Sequence, residues 1–473
     1  MRDESSNLAA DAAPVRDAAG GSWPITVWLE VEDFLKFFDE RSKAAGIQRV
    51  QMEMFAHLHH MRRDDVAVAF CRLNRFRHRL EPVAYQELQR AFHDPPLAYP
   101  DDLALWLRRP FRARVRVARR WLRDATDLLT RLRLDAWRFL GGHVRYPECS
   151  ARIRSGDVVV CTGMSWKGER YVQLISAAKR QYGIAFVMLF HDIIPISHPQ
   201  FSLISASYRR WTDAMLRSAD ALMTQSRYTR DMLIAHAAEI GLNPRQVAVL
   251  LFGPSFSSAT SAPIGPRPLL ALPRPFVLFV STIEGRKNHL LLVRVWKRLI
   301  ERHGDAAVPG LIFVGAPGWL IDRLLAELAA TRYLGGKIKI FSDLSDTELR
   351  VCYRHCLLTV YPSFVEGWGS PVAESLQQGK LCIVSNGGAL PEVGGELLDY
   401  FDPNNEEDAL AAIERAIFDD EHRARREARI RAEYRAPKWE DCCQLLLRTA
   451  MEASRGRTGA APAASGDTQR IQG

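Results

Sequence analysis

No apolar run in this 473-residue chain approaches the length of about 18 residues that a membrane-spanning helix needs. The first residues, Met-Arg-Asp-Glu-Ser-Ser, hold no apolar signal core, so the expectation is a protein made and kept in the cytoplasm. None of the eight cysteines (Cys71, Cys149, Cys161, Cys352, Cys356, Cys382, Cys442, Cys443) forms a Cys-x-x-Cys pair, which argues against a zinc site and against a disulfide scaffold. They are expected to be reduced core thiols, with Cys352 and Cys356 on one helix face. An Asp-x-Asp pair that would hold a divalent cation is also missing. A hydrophobic content of 47% with 25% charged residues excludes a disordered chain, and the length allows two domains.

The net charge of +9 raises nucleic acid as a partner, but its distribution points elsewhere. Between Asp101 and Leu140 stand eleven arginines against five aspartates, alternating with Leu, Val, Trp and Phe at helical spacing. Two readings fit this basic helical insertion at 101–140. One is an amphipathic face at 105–140 that meets an anionic membrane surface, peripheral at the inner face of the plasma membrane; the other is an insertion with a solvated arginine face. No nucleic-acid-binding module accompanies it.

The most informative stretch runs Pro362-Ser-Phe-Val-Glu-Gly-Trp-Gly-Ser-Pro-Val-Ala-Glu374 and follows the apolar run Leu357 to Tyr361. That run reads as a buried strand, and Ser370 with Pro371 reads as the N-cap and first turn of a helix. The glycines then occupy a strand-to-helix loop at the carboxyl end of a parallel strand, where open α/β sheets bind ligands and a helix start favours an anion. Glu366 lies in the loop and Glu374 one turn into the helix. A capping box would need Glu at 373, which is Ala, so a capping role for Glu374 is weakened but stays open beside a ligand-binding one, and an ordinary loop acid is the competing reading of Glu366.

Glu-Gly-Trp-Gly-Ser-Pro-Val-Ala-Glu-Ser resembles the donor-binding Glu-x7-Glu signature of retaining glycosyltransferases of family 4, the group 1 transferases with the GT-B fold of two facing Rossmann-like domains. Three further stretches are similar to that family. Gly46-Ile47-Gln48-Arg49-Val50 is like its glycine-containing turn near donor phosphate and acceptor, although a helix start with a solvated Arg49 is the competing reading. Thr282-Ile-Glu-Gly-Arg-Lys-Asn288 is like its cationic turn, in the subgroup where Arg286 stands beside Lys287 and Thr282 fills the usual arginine slot. Gly387-Gly-Ala-Leu-Pro-Glu-Val-Gly-Gly395 is like its Pro-Glu-Val-Gly-Gly turn, with Glu392 as a structural acid. His191-Asp192, beyond the strand Ile184 to Phe190, resembles the histidine on the family's catalytic face; a turn in which Asp192 bonds local backbone is the plainer alternative.

The resemblance implies a fold and a reaction. The expected architecture is α/β, with a disordered tail at 1–22, a Rossmann-like domain at 23–253, a linker at 254–274, a nucleotide-sugar-binding domain at 275–435, a terminal helix at 436–453 and a tail at 454–473. The implied reaction moves a sugar, with GDP-mannose a candidate donor, from a nucleoside-diphosphate-sugar to a glycan or lipid-linked saccharide, as in cell-surface polysaccharide synthesis. In that reading Glu366 meets the donor sugar's hydroxyls, Glu374 the ribose, and Lys287 and Arg286 the phosphates. The backbone at Gly367, Trp368 and Gly369, with Ser370 and Thr282, lines the donor pocket, His191 faces the reacting centre, and Gly46, Arg49 and Asp192 lie on the acceptor and phosphate side. Cations and a helix start can carry the leaving charge, so no metal is expected. The rivals are another GT-B enzyme, such as an epimerase or phosphorylase, and a non-catalytic nucleotide-sugar-binding or polysaccharide-binding subunit.

Overall fold

A computed structural model describes residues 24–40, 46–74, 79–93, 153–163, 169–244, 247–253, 275–342 and 344–458. The expected basic insertion at 101–140, the linker at 254–274, the tail at 1–22, and Cys149 lie outside these residues.

Thirteen strands form two sheets among the described residues. The first contains β1 (Ile25–Glu30), β2 (Val66–Asn74), β3 (Arg79–Val83), β4 (Val158–Cys161), β5 (Ala185–Phe190), β6 (Ala221–Thr224) and β7 (Val247–Val249), in the order β3-β2-β1-β4-β5-β6-β7. β1 runs parallel to β2 and to β4, β4 runs parallel to β5, and β3 runs antiparallel to β2. β4 and β5 are buried along their whole length, as the continuous runs Val-Val-Val-Cys and Ala-Phe-Val-Met-Leu-Phe require of strands covered on both faces.

The second sheet contains β8 (Phe276–Val280), β9 (Gly310–Val314), β10 (Ile338–Phe341), β11 (Thr359–Tyr361), β12 (Cys382–Ser385) and β13 (Asp399–Phe401), ordered β10-β9-β8-β11-β12-β13. Every pairing in it is parallel. Chain order runs outward from β8 to β10 on one side and from β11 to β13 on the other, so the reversal falls between β8 and β11. Crevices at such reversals, beyond the carboxyl ends of the strands, are where doubly wound sheets bind ligands.

By contact density the chain divides into two compact units. One takes in Met1–Leu189, Ala214–Leu222 and Gln444–Gly473; the other takes in Phe190–Asp213 and Met223–Cys443. The second unit therefore contains the whole second sheet together with the segment after β5 that carries His191 and Asp192. Its core is built from Val277, Phe279, Trp296, Phe313, Val360, Trp368 and Val384 with the helices around them.

The structure departs from the sequence reading in places. The terminal helix, Trp439–Thr458, continues past residue 453, because its last turn is anchored: Ser454 Oγ donates to the Gly156 carbonyl (2.6 Å) and Arg457 to the Lys179 carbonyl (3.0 Å). The helix expected to be capped by Ser370 spans Ser370–Gln377 and is capped by Gly369 instead, at φ 135° and ψ 49°, a conformation L side chains rarely adopt. Ser370 is thus the first helical residue. The capping box at Ser345 and Glu348 forms as its spacing indicates. All seven described cysteines are buried thiols. Burial pushes the thiol of Cys352 up to about 11 and those of Cys382 and Cys443 up to about 12.

Among the described residues no helix is long and apolar enough to cross a membrane.

Candidate active site

The site is built where β8 and β11 part. After β8 the chain passes through Glu284, in extended conformation, into a single 3-10 turn, Gly285–Lys287, and Asn288 then adopts a left-handed conformation (φ 57°, ψ 36°) before the helix His289–His303. Asparagine is among the few residues that enter this region at modest cost, and its amide donates to the Pro403 carbonyl at 3.1 Å. The abrupt change of direction aims Arg286 and Lys287 at the loop after β11. A backbone bond from Phe364 N to the Arg286 carbonyl (3.0 Å) joins the two loops.

Glu366 bridges the two cations. Arg286 Nη1 donates to Glu366 Oε2 at 2.8 Å and to the Val365 carbonyl at 2.6 Å, while its Nη2 donates to Glu284 Oε1 at 2.6 Å. Lys287 Nζ donates to Glu366 Oε1 at 2.6 Å. Burial works against the charge of Glu366, yet Arg286 and then Lys287 outweigh it and bring the carboxyl down to about 2. Burial likewise opposes the charge of Arg286, and Glu366, Glu284 and Asp192 more than offset it, so the guanidinium is raised above its ordinary value. Glu366 and Arg286 are therefore charged at neutral pH.

Beneath the turn, His289 packs between the rings of Phe279 (4.5 Å) and Phe313 (4.8 Å), with Nε2 at 3.3 Å from Ser281 Oγ. Burial, and then the charge of Lys287, take it down to about 3, so it is neutral in the physiological range.

Glu374 has different surroundings. It is 4% exposed, and its Oε2 accepts from the phenol of Tyr353 at 2.9 Å, a residue of the helix Asp346–His355. The Tyr361 hydroxyl, 3.5 Å from that of Tyr353, donates to the Pro371 carbonyl at 3.0 Å. Burial, then the carboxylate of Glu374, raise the Tyr353 phenol well above its usual range, which keeps it a donor.

His191 and Asp192 reach the same place from β5. Gln225 brackets the histidine, donating from Nε2 to its carbonyl (2.5 Å) with Oε1 at 3.4 Å from the ring Nδ1. Asp192 Oδ1 accepts from Ile194 N at 3.0 Å, the local turn bond that the plainer reading expected, and its charge also raises Arg286. The Glu366 loop rests on this pair: a Cβ on Gly367 would lie 2.6 Å from the His191 carbonyl oxygen and 2.8 Å from Asp192 Cβ. Only glycine fits there. Thr229 Oγ1 adds a bond to the Gly367 carbonyl at 3.3 Å.

From the other side the loop is held by Gly387 and Gly388. A Cβ on Gly388, which has φ 65°, would lie 2.4 Å from the Glu366 carbonyl oxygen, and Ala389 N donates to that same oxygen at 2.9 Å. Glu392, expected as a structural acid, accepts from the backbone N–H groups of Arg227 (2.8 Å) and Tyr228 (2.6 Å). It sits on the N-terminus of the helix Arg227–Glu239, where the helix dipole favours an anion.

The remaining expected residues are placed as follows. Thr282 is exposed just past β8, Gly369 and Ser370 open the helix that carries Glu374, and the Trp368 side chain belongs to the buried core instead of presenting its ring outward. Gly46 and Arg49 are in the first turn of the helix Gly46–His60 in the first unit. A Cβ on Gly46 would meet nothing within 4 Å among the described residues, so their packing does not demand a glycine there. The sequence reading missed Glu284, Tyr353 and Gln225. It also missed His198, whose ring is lowered first by burial and then by the charge of Arg286. Among the described residues no group of three or more His, Cys, Asp or Glu side chains is arranged to hold a metal ion.

Chemically, two fixed cations beside a helix start can take up growing negative charge on a diphosphate, and two carboxylates of unlike environment can orient hydroxyl groups at two points along one ligand.

Residues 266–433 match the family model described as glycosyl transferases group 1, and residues 138–240 match that of the glucosyltransferase 3-like N-terminal domain. The chain is 32% identical over 167 residues to the O-antigen chain mannosyltransferase B of Escherichia coli, an alignment covering 35% of this chain and 43% of that one. It is 25% identical over 272 residues to the serotype-specific mannosyltransferase WbdA of Escherichia coli, covering 54% of this chain and 33% of the relative. The chain thus spans less than half the length of these relatives. Among solved structures it is similar in fold to a glycosyltransferase from Rickettsia africae (TM-score 0.52, 15% identity, 93% of this chain and 100% of that one). It is similarly close to Anabaena HepE in complex with UDP and glucose (TM-score 0.53, 15% identity, 90% and 99%). Taken with the parallel sheets and the chain reversal between β8 and β11, the solved structures establish a GT-B fold, and the family model and the curated relatives support the group 1 glycosyltransferase family for this chain.

Proposed function

We propose that the protein is a retaining hexosyltransferase that moves mannose from GDP-mannose to a glycan or lipid-linked saccharide in the synthesis of a cell-surface polysaccharide. The observation that carries this reading is the Arg286, Lys287 and Glu366 cluster at the chain reversal of the second sheet, with Glu374 buried one helical turn beyond. The choice of mannose is supported by the names of the two relatives, both mannosyltransferases.

In this mechanism Lys287 and Arg286 stabilise the charge that grows on the diphosphate as the sugar bond breaks, which favours the transition state over the ground state. Glu366 accepts hydroxyls of the donor sugar, and Glu374 those of the ribose. The backbone of Gly367, Trp368 and Gly369 lines the donor pocket with Ser370 and Thr282. His191 faces the reacting centre, and Gly46, Arg49 and Asp192 serve the acceptor and phosphate side. The reaction runs without a metal.

A thermal-shift screen against UDP, GDP, ADP and their common sugars tests the donor. GDP and GDP-mannose should raise the melting temperature most, and Glu374→Ala should reduce that shift. Absence of a shift with every nucleotide would overturn the reading. Proton NMR of the product reads the anomeric outcome, and an inverted linkage would overturn retention.

A further inference from the structure

The cluster around Arg286 holds more negative charge than positive. Glu284, Glu366 and Asp192 act on the guanidinium, against Arg286 and Lys287 as the only cations of the turn. A diphosphate approaching this arrangement meets cations that are already covered. The two are covered differently. Arg286 is tied to Glu284 and to the Val365 carbonyl as well as to Glu366, so it keeps two partners if Glu366 turns away. Lys287 Nζ has Glu366 as its one hydrogen-bond partner among the described residues, at the end of a flexible four-carbon stem.

We infer that Glu366 is a placeholder anion which makes the site prefer a sugar-bearing nucleoside diphosphate to the bare nucleoside diphosphate. The inference rests on the donor-site reading above. A diphosphate that takes Lys287 from Glu366 frees Oε1 of a largely buried carboxylate whose Oε2 stays on Arg286, and that acceptor must then find a new donor. Hydroxyls of the attached sugar supply it. A bare diphosphate supplies none, so it binds against the cost of a carboxylate that keeps Arg286 on Oε2 but has lost its donor on Oε1. In the catalytic cycle the same competition helps expel the spent nucleotide: once the sugar has left, Glu366 returns to Lys287 and displaces the diphosphate. No covalent bond changes in this exchange.

Isothermal titration of wild type, Glu366→Gln and Glu366→Asp with GDP, GDP-mannose, UDP and UDP-glucose tests the inference. Wild type should bind the sugar nucleotide more tightly than its bare diphosphate. Glu366→Gln, which has no charge with which to hold Lys287, should bind the bare diphosphate about tenfold more tightly than wild type and the sugar nucleotide more weakly, inverting the preference. Glu366→Asp, too short to span to Nζ, should shift in the same direction, and melting curves without nucleotide show that each variant is folded. A bare diphosphate that binds both folded variants no better than wild type would overturn the inference while leaving the donor site in place. Wild type that binds none of the four nucleotides would overturn the donor-site reading, and the inference with it.

Discussion

Glu366 and Glu374 belong to one short sequence signature, yet the regions that hold them are built on opposite principles. Glu366 lies in an irregular loop, where it satisfies two cations and is pressed between the His191–Asp192 segment and the glycines Gly387 and Gly388. Glu374 lies on a regular helix and accepts from a neutral phenol in a pocket of tyrosines. The first arrangement stores charge that a ligand can claim, whereas the second gives a buried carboxylate a neutral phenol as donor. A single spacing in sequence thus delivers one electrostatic device and one hydrogen-bonding device.

Removing a cation from the Glu366 region should cost most. Arg286→Gln leaves Glu284 and Glu366 buried beside each other without their shared counter-charge, and urea unfolding should show a loss of about 3–5 kcal/mol. Lys287→Gln leaves the loop tied by Arg286 but removes the exchangeable cation, so kcat with the sugar nucleotide should fall about 10²-fold with little loss of stability. If instead Lys287→Gln unfolds the protein and Arg286→Gln does not, the contrast drawn between the two cations is wrong. In the Glu374 region, Tyr353→Phe should cost about 2 kcal/mol of stability, less than the loss of Arg286 because no charge is left unpaired by another charge.

Acid separates two groups that lie side by side. His289 is held neutral down to about pH 3, whereas the unfolded chain protonates it near its ordinary value of 6.5, so the unfolded state binds the extra proton. Stability should therefore fall as pH drops from 6.5 towards 3, by at most about 1.4 kcal/mol per pH unit. The stabilising charge of Glu366 persists above its unfolded value of 4.5 and is lost only as pH falls towards 2. Unfolding midpoints of wild type and His289→Asn between pH 7 and pH 4 check this: the variant should be flatter than wild type above pH 5. The smallest effect expected is that of Glu392→Gln, which keeps the hydrogen-bonding shape at the start of the helix Arg227–Glu239 but removes the charge, for a loss of about 1 kcal/mol in urea unfolding.

How much of this was legible depended on whether the determinants were local. The strands of the second sheet stand out because Phe276 to Val280 or Cys382 to Ser385 are apolar runs bounded by turn residues. β3, which contains Glu81 and Pro82, and β13, which is three residues long, carry no such signal. At the site, Glu366, Arg286 and Lys287 are visible because strand-to-helix loops with glycine and charge are uncommon. Glu284 is in the same turn, but nothing in its spacing says that its side chain folds back onto Arg286. Tyr353 occupies a helix at ordinary apolar spacing, and its meeting with Glu374 is fixed by how two helices flank β11. Gly367 reads as a turn residue; the reason it must be glycine, the His191 carbonyl, comes from a remote segment.

The burial of the cysteines has a practical consequence. Cys71, Cys161, Cys352, Cys356, Cys382, Cys442 and Cys443 are all withdrawn from solvent, and their thiols offer little to a maleimide. With Cys149→Ser, a cysteine introduced at Leu203, which is 75% exposed, becomes the reactive thiol of choice for a fluorophore. The segment after β5 can then be followed by fluorescence while the protein keeps its native interior chemistry.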